Sequence, residues 1–162
     1  MGFTFDVSGM AELSRQLEKL GEKGRKIASE ALYEGAGVMA DAVSRAVQGI
    51  ATEPFKYATG GKKRKASPEE KAIIANAKTG VAKFRKNGIS VQTSVGMQNA
   101  GYAQLGGKTK PIPLIAKSIN SGTSFMQKQP FLRKAFSQNS GKAQNAIENG
   151  IKAHESELGI GD

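Results

Sequence analysis

Apolar and polar residues alternate at the start of the chain, Phe3-Thr4-Phe5-Asp6-Val7, which predicts a half-buried strand. Ser8 is placed to cap a helix whose apolar residues Met10, Leu13, Leu17 and Leu20 recur every three or four positions. Gly21 and Gly24 break or kink it. A longer helix is expected from about Lys23 to about Gln48. Its apolar stripe reads Ile27, Ala28, Ala31, Leu32, Ala36, Met39, Ala42, Val43, Ala46 and Val47, at the period of 3.6. Gly35 and Gly37, flanking Ala36, thin this helix midway. Each glycine costs up to ~1 kcal/mol in a helix interior, so the compensation expected here is close approach of another backbone.

The periodicity collapses between Gly49 and Ala66. Pro54, Gly60, Gly61 and the run Lys62-Lys63-Arg64-Lys65 predict a flexible, exposed basic insertion at about 49–66, in which deletion of Lys62–Lys65 should leave the fold intact. Ser67-Pro68-Glu69-Glu70 then has the form of a helix start: a cap, proline at the first helical position, and Glu70 completing a capping box. The short helix it opens carries Ala72, Ile73, Ile74 and Ala77 before Gly80. Asn87-Gly88 separates Val81–Arg85 from Ile89–Val95 and predicts a hairpin, with Ile89, Val91, Thr93 and Val95 on one face. A Gly/Pro-rich loop is expected at about 98–113. The stretch Pro111-Ile112-Pro113-Leu114-Ile115-Ala116 leads into a strand-like or short helical segment through Ile119. After Gly122 and Pro130 a last helix begins near Phe131. Leu132, Ala135, Phe136, Ala143, Ile147, Ile151 and Leu158 lie along one side of it, and Gly141 and Gly150 weaken it. The fold class expected is α+β in a single domain over 1–162. Two N-terminal amphipathic helical segments and a C-terminal helix would pack on a small, mostly antiparallel sheet with long basic loops.

Composition narrows the chemistry. A chain of 162 residues buries enough core to fold without staples. With no cysteine it has no disulfide framework, thiolate metal site or thiol nucleophile. Neither a membrane span nor a signal peptide is expected, because no apolar run approaches ~18 residues and the start is not a basic-then-apolar leader. The net charge of +10 is unevenly spread: residues 1–50 carry −1, 51–110 carry +9, 111–140 carry +4 and 141–162 carry −2. A basic middle of this kind favours an anionic partner.

Candidate sites are few. Gly101-Tyr102-Ala103-Gln104-Leu105-Gly106-Gly107-Lys108-Thr109 has the look of a phosphate-binding loop, but Tyr102 stands where that motif needs its first glycine. An ordinary glycine-rich loop is the better reading. His154 is the one histidine, without the second imidazole that a zinc site at helical spacing requires. Adjacent Glu69 and Glu70 diverge by about 100° on a helix and read as capping residues. No nucleophile has a base beside it. We therefore expect no enzyme, no cofactor and no metal. Lys62, Lys63, Arg64 and Lys65, with Lys108 and Lys110, are the candidate contacts to an anionic partner. The run lacks a helix-turn-helix pattern and interleaved aromatics, so phosphate contact is the most it implies.

The most specific stretch is Ser121-Gly122-Thr123-Ser124-Phe125-Met126, a short spacer, then Gln129-Pro130-Phe131-Leu132-Arg133-Lys134-Ala135-Phe136. It resembles the Gly-Thr-Ser … Gln-Pro-Phe-Leu-Arg-x-Ala signature of the tail-completion, or head–tail joining, proteins of long-tailed bacteriophages, minor tail proteins of the neck. The opening strand, Ser8-Gly9, the spaced leucines, the alanine-rich second helix and Val95-Gly96 resemble the same family. Asn120 and Ser121 stand where the family usually has an acid and an aromatic, and Arg133-Lys134-Ala135 replaces its typical Arg-Pro-Ala. The resemblance implies a virion structural protein located at the top of the tail and made in the host cytoplasm. It further implies a homo-oligomeric, six-fold ring around the tail axis that couples the tail terminator to the head-completion or connector proteins. Non-specific contact with phage DNA is possible in that setting; a membrane plays no part. In physical terms, Gly122 permits a turn that a side chain blocks, and Thr123 or Ser124 bonds the turn's free amides. Pro130 sets the entry to the last helix, while Phe131, Leu132, Ala135 and Phe136 pin it to the core. Arg133, in the first turn, calls for a partner carboxylate. The rival function is a basic nucleic-acid-binding accessory protein that contacts phosphates through residues 56–86.

Overall fold

A computed structural model of the chain describes residues 3–6, 15, 18–77, 79–81, 85–87, 90–97 and 100–154. The architecture is α+β. In order it runs β1 (Phe3–Asp6), α1 (Glu22–Gln48), α2 (Pro68–Asn76), β2 (Gly80–Val81), β3 (Arg85–Asn87), β4 (Ser90–Gly96), β5 (Tyr102–Leu105), β6 (Lys108–Pro111), α3 (Ile112–Ser121) and α4 (Phe131–Lys152). Of the first expected helix, Ser8, Met10, Leu13 and Leu17 lie outside the described residues, while Arg15, Glu18 and Lys19 are helical; Leu158 and the acids beside it also lie outside. No described helix is long and apolar enough to cross a membrane.

The chain divides into two compact units, one of residues 41–80 and 96–138, the other of residues 3–40, 81–95 and 139–162. In the second unit β4 is the central strand. It pairs antiparallel with β1, Phe3 opposite Val95 and Asp6 opposite Gln92. It also pairs antiparallel with β3, and β2 is its further neighbour. The hairpin expected around Asn87-Gly88 is present, but in a register one residue along: Asn87 is itself paired, with Ser90. Glycine ends a two-residue connection of one common class and begins that of the other, so the dipeptide alone does not choose between them. Thr93 and Val95 are buried on β4.

The helical part of this unit is an antiparallel pair, because Glu30, Ala31 and Gly35 of α1 lie against His154, Gly150 and Ile147 in turn. The expected stripe of α1 is buried at Ile27, Ala28, Ala31, Leu32, Ala36 and Met39, and α4 contributes Ala143, Ile147 and Ile151. The close backbone approach expected at the thinned middle of α1 occurs at Gly35. A methyl group there would lie 2.5 Å from Ile147 Cγ1 and 3.0 Å from the Ala143 carbonyl oxygen. Gly150 is the reciprocal position, where a methyl would lie 3.0 Å from Ala31 Cα. Gly150 is therefore a packing residue rather than a weakness in α4. Gly37, two residues from Gly35, faces open space.

The first unit contains the stretches that sequence periodicity served least well. The Gly/Pro-rich loop expected at 98–113 is instead a β-hairpin: β5 and β6 pair antiparallel from Tyr102–Pro111 to Leu105–Lys108. Gly106 and Gly107 join them with φ of 58° and 74°, the paired positive values a tight two-residue connection needs. The stretch after Pro111 is helix, not strand, with Ile112, Ile115, Ala116 and Ile119 on its buried face. Nor is 49–66 a detached insertion. Thr52 bridges to Ala66 and Arg64 to Met126, both in parallel sense, and Ala66 is fully buried. The capping box forms as expected: Ser67 Oγ accepts from the Glu70 amide and the Glu70 carboxylate accepts from the Ser67 amide. Lys71 Nζ donates to the Gln48 and Ile50 carbonyls, a cation at the C-terminal end of α1 where the helix dipole favours one.

The two glycines of α1 give a controlled comparison. Gly37→Ala should stabilise the protein by up to ~1 kcal/mol through helix propensity. Gly35→Ala should destabilise it by about 1–3 kcal/mol, because the added methyl overpacks the crossing. Urea midpoints of the two variants against the parent check both signs.

Candidate functional site

Arg64 organises the first unit. Its side chain is 6% exposed and pairs with Glu70 in a fork, Nη1 to Oε2 at 2.8 Å and Nη2 to Oε1 at 2.7 Å. Nη1 also donates to the Lys65 carbonyl. The guanidinium lies over the Phe55 ring at 5.0 Å and the Phe125 ring at 6.0 Å, within the range of cation–π attraction. Its backbone is paired as well: the Arg64 amide donates to the Phe125 carbonyl and its carbonyl accepts from the Gln127 amide. The basic run and the 121–136 motif, some 60 residues apart in sequence, thus meet at Arg64, and the Gln127 side chain adds a bond to the Lys63 carbonyl.

The motif is a bend locked onto a docked helix. Gly122 ends α3 with φ of 75°, and a Cβ there would lie 3.0 Å from the Lys128 amide nitrogen; the turn excludes a side chain on both counts. Thr123 closes the turn: its Oγ1 accepts from the Phe125 and Met126 amides, and its amide donates to the Met126 carbonyl. Ser124 is exposed. Gln129 acts as a false strand, its side-chain amide accepting from the Ala51 amide and donating to the Ala51 carbonyl at 2.8 and 2.9 Å. Asn120 Oδ1 accepts from the Leu132 amide, so α3 supplies a cap for the first turn of α4. After Pro130, the residues Phe131, Leu132, Ala135 and Phe136 are all buried, as the helix-docking reading expects. Arg133 is exposed, and no carboxylate among the described residues pairs with it. The first turn of α4 carries that cation at the surface, where water screens the dipole.

Electrostatics bind these pieces to one another. Burial pushes the Glu70 carboxyl up, but the Arg64 guanidinium and the Ser67 amide and hydroxyl outweigh it, so Glu70 is held below its ordinary 4.5. Hydrogen bonding to Glu70 raises Arg64 against the opposing effect of burial. Glu53 is also held low, first by the Lys65 amide at 2.6 Å and further by the Lys56 ammonium. These carboxylates are committed acceptors with no proton to trade. No group of three or more metal-ligating side chains is present among the described residues.

The candidate anion contacts therefore separate. Lys62, Lys63, Lys108 and Lys110 are exposed and Lys65 is half-buried. Arg64 is withdrawn from the set, because its charge is neutralised in the core by Glu70. The expectation that Lys62–Lys65 can be deleted with the fold intact is corrected for the same reason: the deletion would strip Glu70 of its partner. The fold also gives the basic run aromatic neighbours that its sequence lacks. Phe55, Tyr57 and Phe125 are 59%, 82% and 49% exposed, with Phe55 and Tyr57 edge to face at 5.4 Å. Glu53, Gln129 and Asn120 were not foreseen as site-building residues, since their partners are backbone groups distant in the chain. No family model, curated protein or solved structure matches the chain significantly.

Phe131→Ala should cost about 3–5 kcal/mol, as deletion of a buried ring does, seen as a lower denaturant midpoint. Glu70→Gln should cost about 3–5 kcal/mol by leaving a buried guanidinium unpaired. The acid limb carries a further signature. A carboxyl held low in the folded state contributes stability that is complete above its unfolded value of 4.5 and is lost as pH falls below it through the folded value. Stability should accordingly drop below about pH 4.5, and drop less steeply in Glu70→Gln; urea titrations at a series of pH values measure both slopes.

Proposed function

We propose that this chain is an assembly protein without a reaction of its own, working in the neck of a long-tailed bacteriophage where the tail terminator meets the head connector. The supporting observation is the state of the segment from Ser121 to Phe136. The stretch that resembles the tail-completion signature spends Gly122, Thr123 and Gln129 on holding a bend, and Phe131, Leu132 and Phe136 on docking a helix. What it offers outward is Phe125, beside Phe55 and Tyr57 and the exposed Lys62 and Lys63. A rigid frame that presents aromatic and cationic side chains is the equipment of a binding surface; buried, aromatic-anchored centres carry most of the energy of such contacts. Several copies around the tail axis would close by rotation of one head-to-tail contact.

Removing the chain should leave finished tails and filled heads unjoined, scored by electron microscopy of lysates. Joined particles in its absence would overturn the reading. The nucleic-acid rival makes a different demand, that the isolated protein bind duplex DNA tightly with a steep fall of log K against log salt. We expect weak binding with a shallow slope, since Arg64 is neutralised and the basic run keeps only lysine point charges outside the core.

A further inference from the structure

Single exposed apolar residues need no explanation, but Phe55, Tyr57 and Phe125 are a linked set. Tyr57 stands edge to face against Phe55, and Phe55 and Phe125 share the Arg64 guanidinium. That guanidinium is itself fixed by the fork to Glu70, so the rings are held in place before any partner arrives. The charge around them has one sign. Lys62 and Lys63 are exposed, and Lys128 is exposed next to Gln127, whose side chain donates to the Lys63 carbonyl. Glu53, the only acid between residues 50 and 66, is spent on Lys65 and Lys56. An occupant of this surface must be acidic and must carry apolar side chains at short spacing.

The chain itself carries a segment of that chemistry. Residues 155–162 read Glu-Ser-Glu-Leu-Gly-Ile-Gly-Asp, three acids and no base, with Leu158 and Ile160 two positions apart. Extended, such spacing puts both apolar side chains on one face, matching the two-residue spacing of Phe55 and Tyr57. We propose that residues 155–162 of one copy dock on the aromatic and basic surface of Phe55, Tyr57, Lys62, Lys63 and Phe125 in the next copy. The partner is a second copy of this chain, and the proposal rests on the ring reading above: one surface meeting a different one head to tail is the contact a closed ring uses. A protein segment suits the surface better than nucleic acid does, because Arg64, the one guanidinium present, is already neutralised.

Sedimentation of the full chain over a range of concentrations tests this. The protein should self-associate at low salt and do so less at about 1 M salt, where the Debye length is about 3 Å. Lys62→Glu with Lys63→Glu should weaken association at least about tenfold, and Glu155→Lys with Glu157→Lys should do the same. An equimolar mixture of the two variants should recover association, since each reversed tail then meets a reversed surface. Tyr57→Ser should weaken association about tenfold with an unchanged melting midpoint. A protein that is monomeric at every concentration, charge reversals without effect, or a mixture that fails to recover each overturns the proposal. So does loss of DNA binding in the lysine variant with self-association intact, which would assign the surface to nucleic acid. Failure of the neck reading shows separately, as heads and tails that join without the chain, and leaves the charge-swap result standing.

Discussion

A guanidinium taken out of water must recover both its charge partner and its hydrogen bonds, and the first unit of this protein is arranged around that requirement at Arg64. Glu70 answers the charge with a two-pronged contact, and the same carboxylate accepts from the Ser67 amide in the capping box. The start of α2 is therefore not free to form independently of the run before it. Buried pairs of this sort contribute little net stability over an apolar equivalent, yet breaking one is expensive. Their effect is to fix one arrangement: with Arg64 seated, its backbone selects Phe125 and Gln127, and the rings of Phe55 and Phe125 take their places over the charge.

From that seat the order of the 121–136 segment follows. A parallel bridge at Arg64 and Met126 holds one side of the bend, while Gln129 clasps Ala51 just past the end of α1. Met126 and Phe131 bury themselves on either side of that clasp. Polar bonds here set direction and apolar burial supplies the driving force, a division expected where each hydrogen bond is worth about 1 kcal/mol net and a buried side chain two or three times that. The second unit solves a different problem with different means. Its helices approach closely enough that Gly35 and Gly150 must lack side chains.

How much of this could be read from the residues depends on the range of the signal. Local patterns translated directly: the stripe from Ile27 to Val47 placed α1 to within a residue, and Ser67-Pro68-Glu69-Glu70 gave both the start of α2 and its reciprocal bonds. Gly106-Gly107 between two short runs, Tyr102–Leu105 and Lys108–Pro111, is a hairpin signal, but the density of glycine and proline around it pointed to a loop. The basic run was misread in its most important member. Four consecutive cations suggest solvent, and the one signal within the run was that Arg64 is its only arginine, the cation suited to a buried two-pronged pair. Its partner lies six residues on, inside a motif whose capping role already accounted for Glu70. The Gln129–Ala51 clasp and the Asn120 cap join groups whose pairing no periodicity encodes.

The same contrast bears on what the surface is for. Local sequence placed the cations outside and left the aromatics scattered, and each observation alone describes an ordinary soluble exterior. Bringing Phe125 to Phe55 takes a buried ion pair, a positive-φ glycine and a side chain that imitates a strand, all converging on one bend. Core stability does not require that expense, since apolar residues at positions 64 and 70 together would bury as well as the pair does. What an apolar residue would not do is hold two half-exposed rings in register beside lysines. A frame this rigid under an apolar, cationic exterior reduces the ordering cost of association, and that is the physical sense in which the segment from Ser121 to Phe136 is equipped for binding.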